Sequence, residues 1–225
     1  MANTKSGGLE WDTKSGGLEW DFFFKVVLIG DADVGKTSIF RRFRNGSFAQ
    51  RRGSTAEEDK HTKILQVEGK RVALELWDTA GLERFRSFTH GFLKGAAAVI
   101  LTYDIVNMES FRNIKNWHEV VEKLMGEHGI CSILVGNKTD LEVSRKVSRE
   151  EAEKCVNTYG MSALFETSAR EFQNVTEMFE HIAWKLKRDH KKCNIAIINS
   201  DESIRLGEGC STYSSQDCPS AKCRK

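Results

Sequence analysis

Short apolar runs and amphipathic stretches take turns along most of this chain. Phe22–Ile29 (FFFKVVLI) is bulky and almost continuously apolar and stops at Gly30, the pattern of a strand buried on both faces. Lys36–Arg44 has helical spacing. Lys60–Val67 and Arg71–Trp77 read as two β-runs joined by Glu68-Gly69, a short hairpin signal. Ala96–Tyr103 (AAAVILTY) is a second buried strand, followed by a helix from about Ser110 to Met125. Ile130–Val135 is a third, followed by a helix over Arg149–Tyr159, and Ala163–Glu166 is a last short strand before a final helix, Val175–Lys192. Strands alternating in this way with helices predict an α/β fold, a mostly parallel six-stranded sheet flanked by helices.

The periodicity holds over residues 22–192, long enough for one domain with its own core. Residues 1–21 fall outside it. They contain a nine-residue direct repeat, Thr4–Asp12 and Thr13–Asp21 both reading TKSGGLEWD. Two nine-residue units are too short for a solenoid, so a flexible extension is expected; a docking peptide built on Trp11 and Trp20 is the alternative. Residues 193–225 lose the periodicity and read as a flexible tail. With 34 Lys and Arg against 32 Asp and Glu, the net charge of +2 gives no broad basic face, and no nucleic-acid partner is expected. No apolar run approaches the roughly 18 residues that would span a bilayer, and no signal-peptide pattern opens the chain, so a cytoplasmic location is expected. Six cysteines remain. Cys131, Cys155 and Cys193 lie singly in the body, whereas Cys210, Cys218 and Cys223 crowd the tail, and none forms a CxxC pair.

Three short motifs carry the chemistry. Gly30-Asp-Ala-Asp33-Val34-Gly35-Lys36-Thr37-Ser38 contains G-x-x-x-x-G-K-[ST] where a strand meets a helix. Loop and helix N-terminal N–H groups there wrap phosphate oxygens, Gly35 allows close approach, Lys36 neutralises β/γ-phosphate charge and Thr37 ligates Mg²⁺. Asp78, in Trp77-Asp-Thr-Ala-Gly81, ends a β-run where a carboxylate can hold Mg²⁺ beside the nucleotide. Asn137-Lys138-Thr139-Asp140 follows the third buried strand. Its aspartate can accept from guanine's N1–H and exocyclic amine, a donor pair adenine lacks, which argues against a P-loop kinase or ATPase.

With these motifs in this order, residues 22–192 resemble a Ras-superfamily small GTPase, most closely the Rab family. Trp77–Ser87 (WDTAGLERFRS) is similar to the Rab switch II signature, and Leu101–Val106 (LTYDIV) to another Rab segment. The resemblance implies a P-loop NTPase small G domain that binds GTP or GDP with Mg²⁺ and is expected to be a monomer. It implies that Phe48 lies beside the guanine, that Thr55 of switch I reaches Mg²⁺ and the γ-phosphate, that Gly81 supplies an amide to that phosphate, and that Ser168, Ala169 and Arg170 contact the base. Arg170 replaces the usual Lys. Exchange factors, GTPase-activating proteins and effectors would bind through switches I and II, with Trp77, Arg84 and Phe85 as contacts; packing on the sheet is the other reading of these three.

Departures from the family pattern modify this picture. Leu82 stands where Gln usually orients the attacking water, and Leu can neither donate to nor accept from it. Slow hydrolysis of GTP to GDP and phosphate and a bias toward the GTP state follow, with a GTP-locked binding scaffold as the alternative. Ala32 is a small residue at a position sensitive to bulk. Ala56–His61 (AEEDKH) is charged where the pattern is apolar, either for a different effector or as a solvated loop. Rab proteins are held on membranes by lipid on C-terminal cysteines. Here Cys218 and Cys223, flanked by Lys222, Arg224 and Lys225, are lipidation candidates that would place the protein on the cytosolic face of a membrane, although the ending is neither CaaX, CC nor CxC. Three unmodified thiols are the alternative.

Overall fold

Alternate side chains of Phe22–Ile29 enter two different cores. Phe24, Val26 and Leu28 pack into one hydrophobic cluster, and Val27 and Ile29 into another, as expected of a strand covered on both faces. The computed structural model describes residues 20–48, 59–79, 89–125 and 130–198. Within them the chain runs β1 (Phe22–Ile29), α1 (Lys36–Asn45), β2 (Asp59–Val67), β3 (Lys70–Asp78), α2 (Thr89–Leu93), β4 (Ala96–Asp104), α3 (Met108–Arg112), α4 (Ile114–Met125), β5 (Cys131–Asn137), α5 (Arg149–Thr158), β6 (Ala163–Thr167) and α6 (Val175–Ile198).

The six strands form one sheet in the order β2-β3-β1-β4-β5-β6. All pairings are parallel except β2 with β3. The predicted α/β architecture and the six-stranded, mostly parallel sheet are therefore observed. On one face Ile39, Phe40 and Phe43 of α1 meet Val175, Met178, Phe179, Ile182, Ala183 and Leu186 of α6, and the Phe43 and Phe179 rings stack 3.9 Å apart. On the other face Phe92, Leu93, Ile114, Trp117, Val121 and Ala152 cover the sheet. The antiparallel exception is the predicted hairpin. Glu68 (φ 47°) and Gly69 (φ 72°) both adopt positive φ, as a type I′ turn requires, and set Val67 opposite Lys70.

Most element ends shift by a residue or two from the sequence reading, and a few differences are larger or more informative. The helix expected from Ser110 starts at Met108, because Asn107 caps it by accepting from the Glu109 and Ser110 N–H groups, and it is broken at Asn113. The last helix runs to Ile198, six residues past its expected end, there being no Gly or Pro between Gly160 and Gly207 to stop it. Asp21, placed in the leader, is bound to the body: its N–H donates to the Arg71 carbonyl (2.8 Å), and its carboxylate accepts from the Arg71 N–H (2.7 Å) and Lys70 (2.8 Å). Strand β2 begins at Asp59, one residue before the expected Lys60, so the end of the charged switch I run is in the sheet, with Asp59, Lys60 and His61 paired with Asp78, Trp77 and Leu76; charge on an edge strand discourages pairing with another chain. Cys131 is buried and Cys155 half-buried, both free thiols, and burial pushes the Cys155 thiol up to about 11.

Candidate nucleotide-binding site

The carboxyl ends of the parallel strands come together at one rim of the sheet. Leu28 of β1 lies opposite Asp78 of β3, Asp104 of β4 opposite Asn137 of β5, and Asn137 opposite Thr167 of β6. Crevices at such ends are where open α/β sheets take ligands.

The loop between β1 and α1 is shaped by glycine. Gly30 (φ 140°) passes so close to β4 that a Cβ would strike the Thr102 carbonyl oxygen, and at Gly35 (φ 99°) a Cβ would strike the Asn137 side-chain amide. Lys36 is buried, and its ammonium arches over the loop to donate to the Gly30 (2.7 Å) and Asp31 (2.6 Å) carbonyls. Gly35 is the N-cap of α1 and offers no side-chain cap, and no acid occupies the first turn. By contrast α5 closes its N-terminus with the Ser148–Glu151 capping box. The first turn of α1, with Thr37 and Ser38 in it, thus presents N–H groups suited to an anion. Asp33 is exposed at the loop tip with φ 59°, Ala32 is exposed beside it, and Val34 is buried.

Asp78 is 1% exposed, and neither carboxylate oxygen has a partner at ordinary hydrogen-bond geometry. Burial pushes its carboxyl above the usual range, opposed by the Thr37 hydroxyl and the Lys36 ammonium. A buried, unsatisfied carboxylate facing a threonine hydroxyl is an oxygen donor set that fits a hard divalent cation such as Mg²⁺. Neighbouring Thr79 is turned away, its hydroxyl donating to the Leu28 carbonyl.

The third motif is a cross-brace. Asn137 donates from Nδ2 to the Val34 carbonyl (2.9 Å), while its Oδ1 accepts from the Ala169 N–H (3.2 Å) and the Thr167 hydroxyl (3.3 Å). One side chain therefore ties the phosphate-type loop to the Ser168–Arg170 loop. Lys138 (φ 71°) pairs with Asp104 at 2.6 Å. Asp140 accepts from the Ser168 hydroxyl at 2.7 Å, and its other oxygen lies 3.8 Å from Arg170. Phe48, half-buried, packs against the core near Arg42. Sequence reasoning had singled out all of these except Asp104, Thr167 and Arg42; the strand-end position of Asp104 was the available signal. Asp31 was also missed: its carboxylate accepts from Asn113 (2.7 Å) and the Trp117 indole (2.8 Å), holding the loop to α4 and its N-terminal junction.

A model described as the Ras family matches residues 25–188, and the match spans the loop, the strand-end acid and the cross-brace. The chain belongs to the Ras family. Within that family it is similar to Ras-related protein Rab-30 of Homo sapiens, 42% identical over 188 residues that cover 84% of this chain and 91% of that protein. Ras-related protein Rab-13 of Mesocricetus auratus is 42% identical over 160 residues, 71% of this chain and 78% of that one. The chain is thus a Rab-like member of the Ras superfamily of small GTPases. The family's Trp77 is half-buried on the sheet. Its ring meets Phe92 edge-on at 6.0 Å and lies under the Lys25 ammonium at 4.2 Å, and its indole donates to Glu75, so it packs on the sheet. Thr55, Gly81, Leu82, Arg84, Phe85 and the tail with Cys218 and Cys223 lie outside the described residues. Among the described residues no helix is long and apolar enough to cross a membrane.

Proposed function

We propose that this protein is a Rab-like GTP-binding switch of intracellular membrane traffic, with weak GTPase activity of its own. The observation that supports the nucleotide reading is the Asn137 cross-brace, one side chain hydrogen-bonded to both the Gly30–Thr37 loop and the Ser168–Arg170 loop. Phosphates fit the uncapped start of α1 beside Lys36 and the backbone N–H groups from Asp33 to Ser38. The base fits between Asn137, Lys138, Asp140, Ser168, Ala169 and Arg170, with Phe48 alongside. Mg²⁺, held by Thr37 and Asp78 and by Thr55 of switch I, would neutralise charge on the β/γ-phosphates. The role of Asp140 is to select guanine by accepting from two adjacent donors.

Thr55 and Gly81 sense the γ-phosphate, so the loops that carry them adopt a partner-binding arrangement with GTP and lose it with GDP. Exchange factors, GTPase-activating proteins and effectors read that difference. Lipid on Cys218 and Cys223, with the flanking cations, would hold the switch at a membrane surface. Leu82 leaves the attacking water without its usual orienting amide, so turnover is slow. A GTP-locked scaffold without useful turnover is favoured over a cycling switch only by this residue and by the charged start of β2. Single-turnover hydrolysis of the purified chain and its Leu82→Gln variant tests the point. The variant is expected to hydrolyse GTP at least about tenfold faster, and equal rates would remove Leu82 from the account.

A further inference from the structure

Phe172 holds a backbone conformation that aromatic residues avoid. Its φ is 61°, and among the described non-glycine residues with positive φ it is the only aromatic. Asn174, two residues on, meets the same demand with a side chain suited to it and donates to the Glu166 carbonyl. Nor is the Phe172 ring stored in the core, for it is 44% exposed. What it touches is Arg42 of α1, whose guanidinium lies 5.4 Å from the ring centroid and 5.6 Å from that of Phe48.

The same guanidinium makes three hydrogen bonds to main-chain carbonyls. Nε donates to Ala169 (2.8 Å), Nη2 to Arg170 (2.5 Å) and Nη1 to Gly46 (2.5 Å), where α1 ends. Two of those carbonyls belong to the loop whose Ala169 N–H is held by Asn137. The loop is closed on its far side by paired main-chain bonds between Ser168 and Gln173, and Gln173 in turn accepts from Thr139. A planar fork can serve three carbonyls at fixed angles, which an ammonium cannot. The two rings flank the guanidinium and restrict the orientation of that fork.

We propose that Phe172, Arg42 and Phe48 form an aromatic–guanidinium latch that positions the base-side loop and Phe48 together and so sets how fast guanine nucleotide leaves. The latch rests on the guanine reading of the site. Its three members are positioning residues, and local backbone strain at Phe172 is maintained because the ring secures Arg42.

The test is release of a fluorescent GDP from the full chain in Mg²⁺ with excess unlabelled GDP, read alongside thermal unfolding of the nucleotide-stripped protein. Phe172→Gly removes the ring and also the strain, since glycine takes this φ freely. It is expected to release GDP about tenfold faster, equivalent to roughly 1.4 kcal/mol, with no loss of thermal stability and with faster amide exchange over residues 168–173. Phe172→Tyr keeps the ring and is expected to stay within about twofold of wild type, whereas Arg42→Lys is expected to match the glycine variant or exceed it. A glycine variant that releases GDP at the wild-type rate, or a tyrosine variant as fast as the glycine one, overturns the latch while leaving the nucleotide site standing. Failure of the wild-type chain to hold GDP at all overturns both.

Discussion

Asp78 shows what a buried acid costs the fold that holds it. Its carboxylate is nine-tenths or more shielded and lacks a partner at ordinary geometry, and burial raises its folded-state pKa above the ordinary value. A raised carboxyl pKa means that the folded chain binds a proton more readily than the unfolded chain does between the two values. Stability from this group is therefore present at low pH and lost as pH rises through the folded value, so at neutral pH the ionised form costs stability. Asp78→Asn is accordingly expected to raise the unfolding temperature of the nucleotide-stripped, chelator-treated protein by a few degrees, on the order of 1 kcal/mol. The same variant should lose the Mg²⁺-dependent retention of nucleotide. Scanning calorimetry in chelator, paired with GDP retention in Mg²⁺, checks both halves. A lower unfolding temperature in chelator would mean that the Thr37 hydroxyl and the Lys36 ammonium outweigh the cost of burial.

Among the elements, the β2–β3 hairpin shows how a sheet edge is secured without a bound ligand. Lys187 of α6 is 1% exposed and donates to the Val67 carbonyl (2.7 Å) and the Glu68 carboxylate (2.8 Å), and Trp184 donates to the other Glu68 oxygen (3.1 Å). Lys187→Met keeps the apolar stem and takes the buried ammonium away from the Val67 carbonyl and the Glu68 carboxylate. It is expected to lower stability by about 1–3 kcal/mol, measured by urea unfolding at constant m-value; no change would show that water replaces the ammonium at no cost. The hairpin itself was legible in the sequence because its turn chemistry is local, two residues that accept positive φ between β-runs. The Lys187 contact was not, because 119 residues separate it from Glu68. Likewise Lys36, Thr37, Asp78 and Asp140 sit in contiguous motifs whose chemistry can be read in place. Arg42 and Ala169 are 127 residues apart, and Asp31 and Trp117 86 apart. Helix ends misread for a related reason: the break at Asn113 coincides with a side-chain bond to Asp31 that no local pattern announces.

Across the whole molecule, strand order does the work of assembly. Placing β1 between β3 and β4, with β5 and β6 beyond, brings Gly30, Asp78, Asp104, Asn137 and Ser168 to one rim although they span most of the domain. The near-neutral charge fits the proposed site, in which recognition would be concentrated in a few focused groups. The central claim is that these groups form one guanine-specific site, and competition against a fluorescent GDP in Mg²⁺ tests it most directly. A site built to pair with the base edge rejects a base that cannot supply the matching donors, by a factor on the order of 10⁴. GDP is predicted to displace the probe at concentrations at least about a hundredfold below those at which ADP does so. Equal displacement by ADP and GDP would contradict the account.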